Sequence, residues 1–418
     1  MIDFIRKIIP EYNSRCWFWL VMIVLLSFYP YKIANAYYPV LVSNIQTIFL
    51  FSVFLVGVVI FSVGRITLPR PVIYIVFIMA VGCFFSFIFT GHKYYYHKII
   101  IMVGGLMLLQ LVYAKVGMFR FFILYNRWVL FMAILAVIGF FLSMAGMPPV
   151  YVFPSTEDSR LISSWIVTFS KQITQGSGFI RPAGFFDEPG ALGYWGIYTL
   201  VINKLFIKDS KLEKWLIIAL LFTFSMGYYS QIIIFLILTV LRRKEQFGRR
   251  LIWLMILSMG IGVMYMTKDT KYNMVYAATI GRFVEASKGE EFLEGTSREK
   301  LTEDSKKIFL EKPWFGMGWP VDDDRYIGDN PYETLARDGI FGTVYLYFPF
   351  LLLLYWSIKR RDYTLFSMIM VMLAGFMHRP FHFNFLTFFI FYSIPLMYYQ
   401  QNIVGDSETV YRQEDGAL

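Results

Sequence analysis

Apolar runs close to the length of a bilayer crossing recur along almost the whole chain, and nothing else in the sequence limits its fold so severely. A helix needs about 20 apolar residues to span the hydrocarbon core. In that solvent only helices and closed barrels satisfy their own backbone hydrogen bonds. Runs at about 16–34, 38–63, 71–90, 99–114, 128–145, 190–206, 251–267, 339–357, 363–377 and 383–400 come close to that length. They predict an all-α polytopic membrane protein with about ten crossings. The first run is followed by no small-residue cleavage site, so it reads as a span and not as a removable signal. Of 418 residues 57% are hydrophobic and 16% charged, too little polar surface to cover several soluble domains.

Orientation follows from the lysines and arginines, which concentrate on the cytoplasmic side. Residues 1–15 carry Arg6, Lys7 and Arg15 and read as a cytoplasmic N-terminus. Further inside positions are Arg65 and Arg70, then Lys115, Arg120 and Arg127, then Lys204, Lys208, Lys211 and Lys214. The stretch 215–241 is different, because lysines precede it and "RRKEQFGRR" follows it, so both ends favour the cytoplasm. Two short helices turning back at "SMGYYSQ" satisfy that, with the turn buried in protein or facing a hydrated cavity. One long span that breaks the charge bias is the alternative. With this re-entrant pair the chain has about 12 apolar helices. Cys16 and Cys83 both lie in or beside apolar segments, with no spacing that suggests a disulfide or a metal site.

The expected organisation is a transmembrane bundle over 16–267, a helical outer domain over 268–338, C-terminal spans over 339–400, and a polar cytoplasmic tail over 401–418. Residues 268–338 hold 15 of the 29 acidic residues but 11 of the 39 basic ones, a net charge of −4. The remainder therefore carries 28 basic and 14 acidic residues, a net +14. That excess fits the cytoplasmic bias and anionic lipid headgroups, not a nucleic-acid surface. Chemistry is expected on the acidic outer side.

"RPAGFFDEPGALG", 181–193, places Arg181, Asp187 and Glu188 just before an apolar run. Its prolines and glycines predict an irregular loop, tolerated at membrane depth where it lines a hydrated cavity. Pro189 at a helix start aims backbone N–H groups at this point, which favours a phosphate. The bland alternative is an interfacial turn whose charges pair with one another. "TSREKLTEDSKKIFLEKP" predicts a helix capped by Thr296 or Ser297, with Glu299 completing a capping box and Leu301, Ile308, Phe309 and Leu310 on its inner face. Arg298 sits in its first turn, against the helix dipole, and either pairs with Glu294 or Asp304 or binds phosphate through its planar fork.

In "DNPYETLARDG" Asn330 is the expected cap and Pro331 the first helical residue, with Glu333 and Arg337 at i, i+4 on one face and Asp329 at the approach. This is either a salt-bridged helix start or part of a site. "MHRPFHFN" adds His378 and Arg379 in an expected outer loop, and "TGHKYYYHK" a second such loop with interfacial tyrosines. There is no Walker loop, no dinucleotide glycine fingerprint and no metal-ligand spacing, so no metal and no cofactor is expected. A pre-activated, amphiphilic, anionic substrate fits these features, and a lipid-linked diphosphate sugar has all three properties.

The chain resembles the bacterial O-antigen polymerase and O-antigen ligase superfamily, membrane glycosyltransferases of the type C kind. "RPAGFFDEPGALG" is similar to the family's Arg-x-x-Gly-Phe block. "TSREKLTEDSKKIFLEKPWFGMGWP" is similar to its Ser-Gly-Arg helix followed by Pro-x-x-Gly-x-Gly. "DNPYETLARDGIFGTVYLYF" is similar to its His-Asn-x-x-Leu…Gly-Ile-x-Gly block, with Asp329 in place of the histidine that ligases carry. That departure and the "FDEPG" version of the first block favour a polymerase over a ligase. The resemblance covers about the last 240 residues.

It implies polymerisation of undecaprenyl-diphosphate-linked oligosaccharide repeat units at the periplasmic face of the bacterial inner membrane, as in lipopolysaccharide biosynthesis. A growing glycan would pass to the acceptor sugar hydroxyl without a metal. Arg181 and Arg298 would offset diphosphate charge, helped by Arg379. Glu188, or failing that Asp329, would take the acceptor proton. Asp187, Asn330, Glu333, Arg337 and His378 would line the substrate site. Membrane lipid, a chain-length regulator and a flippase are the implied partners. The competing readings are a ligase that moves glycan to lipid A-core and, from another class, a lipid-linked oligosaccharide transporter. A transporter would concentrate ionisable groups at mid-membrane, whereas here they gather on one outer face.

Overall fold

In the computed structural model the described residues run from 70 to 404, apart from 92–93, 116, 155–160, 166–167, 173–179, 185, 187, 241–246, 267, 270–275, 277–297, 319–329, 331 and 379–384. The spans expected at 16–34 and 38–63, the termini 1–15 and 405–418, and Asp187, Asp329 and Arg379 lie outside the described residues. So do Thr296 and Ser297, the expected caps.

The described chain is mostly helical. Helices α1 (Arg70–Thr90), α2 (Tyr94–Lys115) and α3 (Met118–Met144) follow one another through very short connections. Short connections make each helix antiparallel to the one before. The C-terminal ends of α1 and α3 and the N-terminal end of α2 therefore share one end of the bundle. Val72–Phe89 within α1 and the whole of α3 are long and apolar enough to cross a membrane. Helix α3 begins ten residues before the span expected at 128, because Arg120, Asn126 and Arg127 continue the helix instead of ending it. Asn126 is buried there and its Nδ2 donates to the Thr199 carbonyl at 3.4 Å, a polar contact that hydropathy reads as a span boundary.

After α3 comes a four-stranded antiparallel sheet in simple sequence order: β1 (Tyr151–Pro154), β2 (Leu161–Ser164), β3 (Phe169–Gln172) and β4 (Ile180–Gly184). This corrects the all-helical expectation, and it corrects the irregular loop expected from Arg181 onward. Residues 181–184 are an edge strand, where Pro182 costs no ladder hydrogen bond. The sheet lies on α3, with Thr168 filling the notch left by Gly139.

Helix α4 (Pro189–Ile202) is buried on all sides from Ala191 to Ile202 and continues into a π-helical turn, Asn203–Ile207. A helix apolar all round belongs at the centre of a bundle. Gly193 and Gly196 let neighbours approach it closely: the Tyr228 and Leu220 side chains occupy the space a methyl group would need. Helices α5 (Ser210–Leu221) and α6 (Met226–Val240) then form a broken pair, but the break falls at Phe222–Ser225 and not at "SMGYYSQ" as expected, since Met226–Gln231 are already helix. Asp209 Oδ1 caps α5 by accepting from the N–H groups of Lys211 and Leu212 at 2.9 and 3.1 Å. Thr223, Phe224 and Ser225 in the turn between them are buried.

Helix α7 (Phe247–Met266) packs on α6. Beyond it lie α8 (Arg298–Glu311), α9 (Glu333–Lys359), α10 (Tyr363–His378) and α11 (Phe385–Tyr399). Two halves of α9, Glu333–Val344 and Leu346–Lys359, meet at 58°, and Gly339 within the first half has non-helical angles. Helices α9 and α10 turn back on each other at Arg360–Asp362, so the start of α9 and the end of α10 share an end of the bundle.

Candidate functional site

The polar groups collect at the end of the bundle where α1, α3 and α10 finish and α2, α4 and α9 begin. Two clusters form there.

The first is the β4–α4 junction. Burial is complete along β4, and Arg181 on that strand is only 7% exposed. Its positive charge acts on the Tyr229 phenol near the start of α6, so the first block and the turn of the broken pair face each other. Gly184, at φ 63, turns the chain out of the strand against Leu192 and the Met132 carbonyl. Glu188 then takes extended angles (φ −138, ψ 147) before Pro189, the first residue of α4. It is half-buried, and its carboxylate makes no capping bond to its own helix. A guanidinium is a group that binds anions and a carboxylate one that accepts protons, so the junction carries both kinds of chemistry.

The second cluster joins α8 to the start of α9. Asn330 is 1% exposed; its Nδ2 donates to Ser305 Oγ at 2.9 Å and its Oδ1 accepts from the Tyr332 N–H at 2.9 Å. Helix α9 therefore starts at Glu333, after a side-chain-closed turn, and not at Pro331 as expected. Glu333 and Arg337 lie on one face as their spacing predicts, and Arg337 Nη2 donates to Glu333 Oε1 at 2.9 Å. Both are buried, at 2% and 6% exposure. Ile308 of α8 packs with Met317 and Ala336 beneath them. Leu310, expected on the same inner face, is exposed instead. Three consecutive helical residues sweep about 200° and cannot share one face.

A backbone interlock holds this cluster. The "PWFGMG" turn after α8 lies against "ARDGIF" of α9. The N–H groups of Met317 and Gly318 donate to the carbonyls of Ala336 and Arg337 at 2.9 and 2.8 Å. Those of Ile340 and Phe341 donate to Pro313 and Trp314 at 2.8 and 3.1 Å. Gly316 and Gly339, at φ 69 and 64, face each other so closely that a methyl group on either would collide with the other strand's backbone. Phe315 bridges Phe89 and Phe341, with ring centroids 5.3 and 5.5 Å away.

Two residues not singled out from the sequence lie directly behind the second cluster. Lys98, expected in an outer loop, is instead one turn into α2 and forms an ion pair with Asp338 in which neither side chain is more than 1% exposed. Tyr95, one turn before it, donates its hydroxyl to the Phe315 carbonyl at 2.6 Å. The sequence carries a signal for this, in that "YYYHKIII" keeps aromatic residues and a lysine at helical spacing, but a lysine beside an apolar run has the same appearance as a helix end.

The clusters connect through α6, α10 and α9. Gln231, two residues beyond Tyr229, lies against Gly375 of α10; Phe376 beside it packs on Tyr347, whose hydroxyl meets Thr334 next to Glu333. Arg181, Glu188, Asn330, Glu333 and Arg337 are thus placed at one end of the bundle. Arg298 begins α8 and His378 ends α10, with backbone positions only described. Among the described residues no group of three or more His, Cys, Asp or Glu is placed to hold a metal ion. No known family signature matches the chain, and no curated protein matches it.

Proposed function

We propose that this protein is a polysaccharide polymerase of the bacterial inner membrane, which extends undecaprenyl-diphosphate-linked glycan at the periplasmic face. The observation that carries the proposal is the β4–α4 junction. There a buried arginine on β4 and a half-buried carboxylate at the start of α4 flank one short turn of chain, and the arginine's charge reaches Tyr229 beside the turn of the broken helix pair. In the proposed reaction the acceptor sugar hydroxyl attacks the anomeric carbon of the lipid-linked growing chain. The bond between that carbon and the diphosphate oxygen breaks, and the lipid diphosphate leaves. Glu188 takes the acceptor proton, with Asp329 as the second choice. Arg181 and Arg298 stabilise the charge gathering on the diphosphate, and the burial of Arg181 strengthens its part of the interaction. Asn330, Glu333 and Arg337 contact sugar or phosphate from the second cluster, and Asp187, His378 and Arg379 are further candidates for substrate contact. Among the described residues, two helices long and apolar enough to span a membrane, or three counting the bent α9 as one span, support a membrane setting.

The test is complementation of a deletion strain with Arg181→Ala, Glu188→Gln and Arg298→Ala, reading surface polysaccharide on a gel. Loss of polymerisation leaves core carrying a single repeat unit. Core with no repeat at all would point to ligation. A full ladder from all three variants would remove these residues from the reaction.

A further inference from the structure

We infer that Lys98 and Asp338 are a positioning pair for the second cluster. They hold Arg337 and the kink of α9 in the arrangement the proposed transfer uses, without touching substrate themselves. The inference rests on the polymerase reading for its catalytic part and on the fold alone for its structural part.

Asp338 follows Arg337 directly and precedes Gly339, the one residue of α9 with non-helical angles. Its side chain points back into the bundle to Lys98, while Arg337 pairs with Glu333. The direction of Asp338 therefore fixes how the backbone passes through the kink, and with it where the Arg337 guanidinium stands. Lys98 is itself constrained. Its ammonium lies 5.4 Å from the Tyr95 ring centroid, and Tyr95 bonds the Phe315 carbonyl in the interlocking turn. Cys83 of α1 lies within the field of both charges. Gly342, one turn after Asp338, leaves room for it: a methyl group there would collide with the Asp338 side chain.

A buried ion pair is a poor way to gain stability, because desolvating two charges offsets most of their attraction and an apolar pair of similar volume does as well. What the charges add is a single direction and separation. Here that geometry ties α2, from the part of the chain without motif resemblance, to the residue beside Arg337.

The experiment uses the full chain in lipid vesicles with the host's own polyprenyl-diphosphate-linked repeat unit. The wild type is compared with Lys98→Met, the isosteric Asp338→Asn, and the exchanged pair Lys98→Asp/Asp338→Lys. Hydrogen exchange by mass spectrometry is measured alongside initial rates at varied substrate concentration. The expected result is lost protection confined to 313–318 and 336–341 in both single variants. Their kcat should fall by about 100-fold, the scale of an ångström-sized misplacement. KM should change little, and the exchanged pair should regain protection and rate. Full protection and full rate in both single variants would overturn the inference. So would protection lost across the whole bundle with an unchanged rate per folded molecule, which is a purely structural role. If the wild type makes no polymer, the polymerase reading fails, and the exchange pattern still decides whether the pair positions the kink.

Discussion

Glu333 and Arg337 show what a spacing argument delivers. The i, i+4 interval put them on one face, and the structure joins them at 2.9 Å in a site nearly closed to solvent. Removing one partner of such a pair leaves an uncompensated buried charge and costs about 3–5 kcal/mol. Arg337→Met should therefore lower the unfolding midpoint in detergent well below that of the double variant Glu333→Gln/Arg337→Met. Equal stability of the two would mean that Glu333 is not held as a buried carboxylate. Lys98 and Asp338 show the opposite limit. Their separation of 240 positions in the chain carries no local signal, and only the packing of α2 on α9 brings them together.

At the scale of elements, the glycines of "WFGMG" and "RDGIFG" were legible as breaks, but their partnership was not. Backbone paired with backbone leaves no side-chain pattern; it leaves only the requirement for residues without a Cβ. Gly316→Ala should be strongly destabilising, since positive φ and a collision with the α9 backbone act together. Gly248, in open space on α7, is the control whose substitution by alanine should cost nothing measurable. Comparable losses from both, measured by thermal unfolding, would dismiss the interlock as a source of stability. The sheet was missed for a related reason. Strands of four or five residues, one containing Pro182, fall below the length at which alternation can be recognised, and the same prolines and glycines suggest a loop. The break between α5 and α6 was legible because charge at both ends conflicted with a single crossing, but its place was not: it comes at Phe222–Ser225, ahead of the glycine and serine that suggested a turn at "SMGYYSQ".

Across the whole molecule, hydropathy located the centres of helices better than their ends. Buried polar residues such as Asn126 look like termini in sequence and are interior contacts in space. The antiparallel order of α1 to α3 and of α9 to α10 places Met147 near the polar end and Tyr363 at the opposite one, and both are exposed. In a background with Cys16 and Cys83 replaced, Met147→Cys should react with a membrane-impermeant maleimide added to intact spheroplasts. Tyr363→Cys should react only after permeabilisation. Labelling of both from one side would contradict the bundle's orientation across the membrane.

The interlock also bears on how such a protein can diversify. Gly318 is tied to the Arg337 carbonyl and Asn330 to Ser305, so α8 with its following turn is joined to the start of α9 at two points, one through backbone and one through side chains. The backbone bonds do not depend on which side chains stand at 317, 336 and 337. Side chains of the charged cluster can therefore be exchanged in related chains while the frame that carries them keeps its geometry.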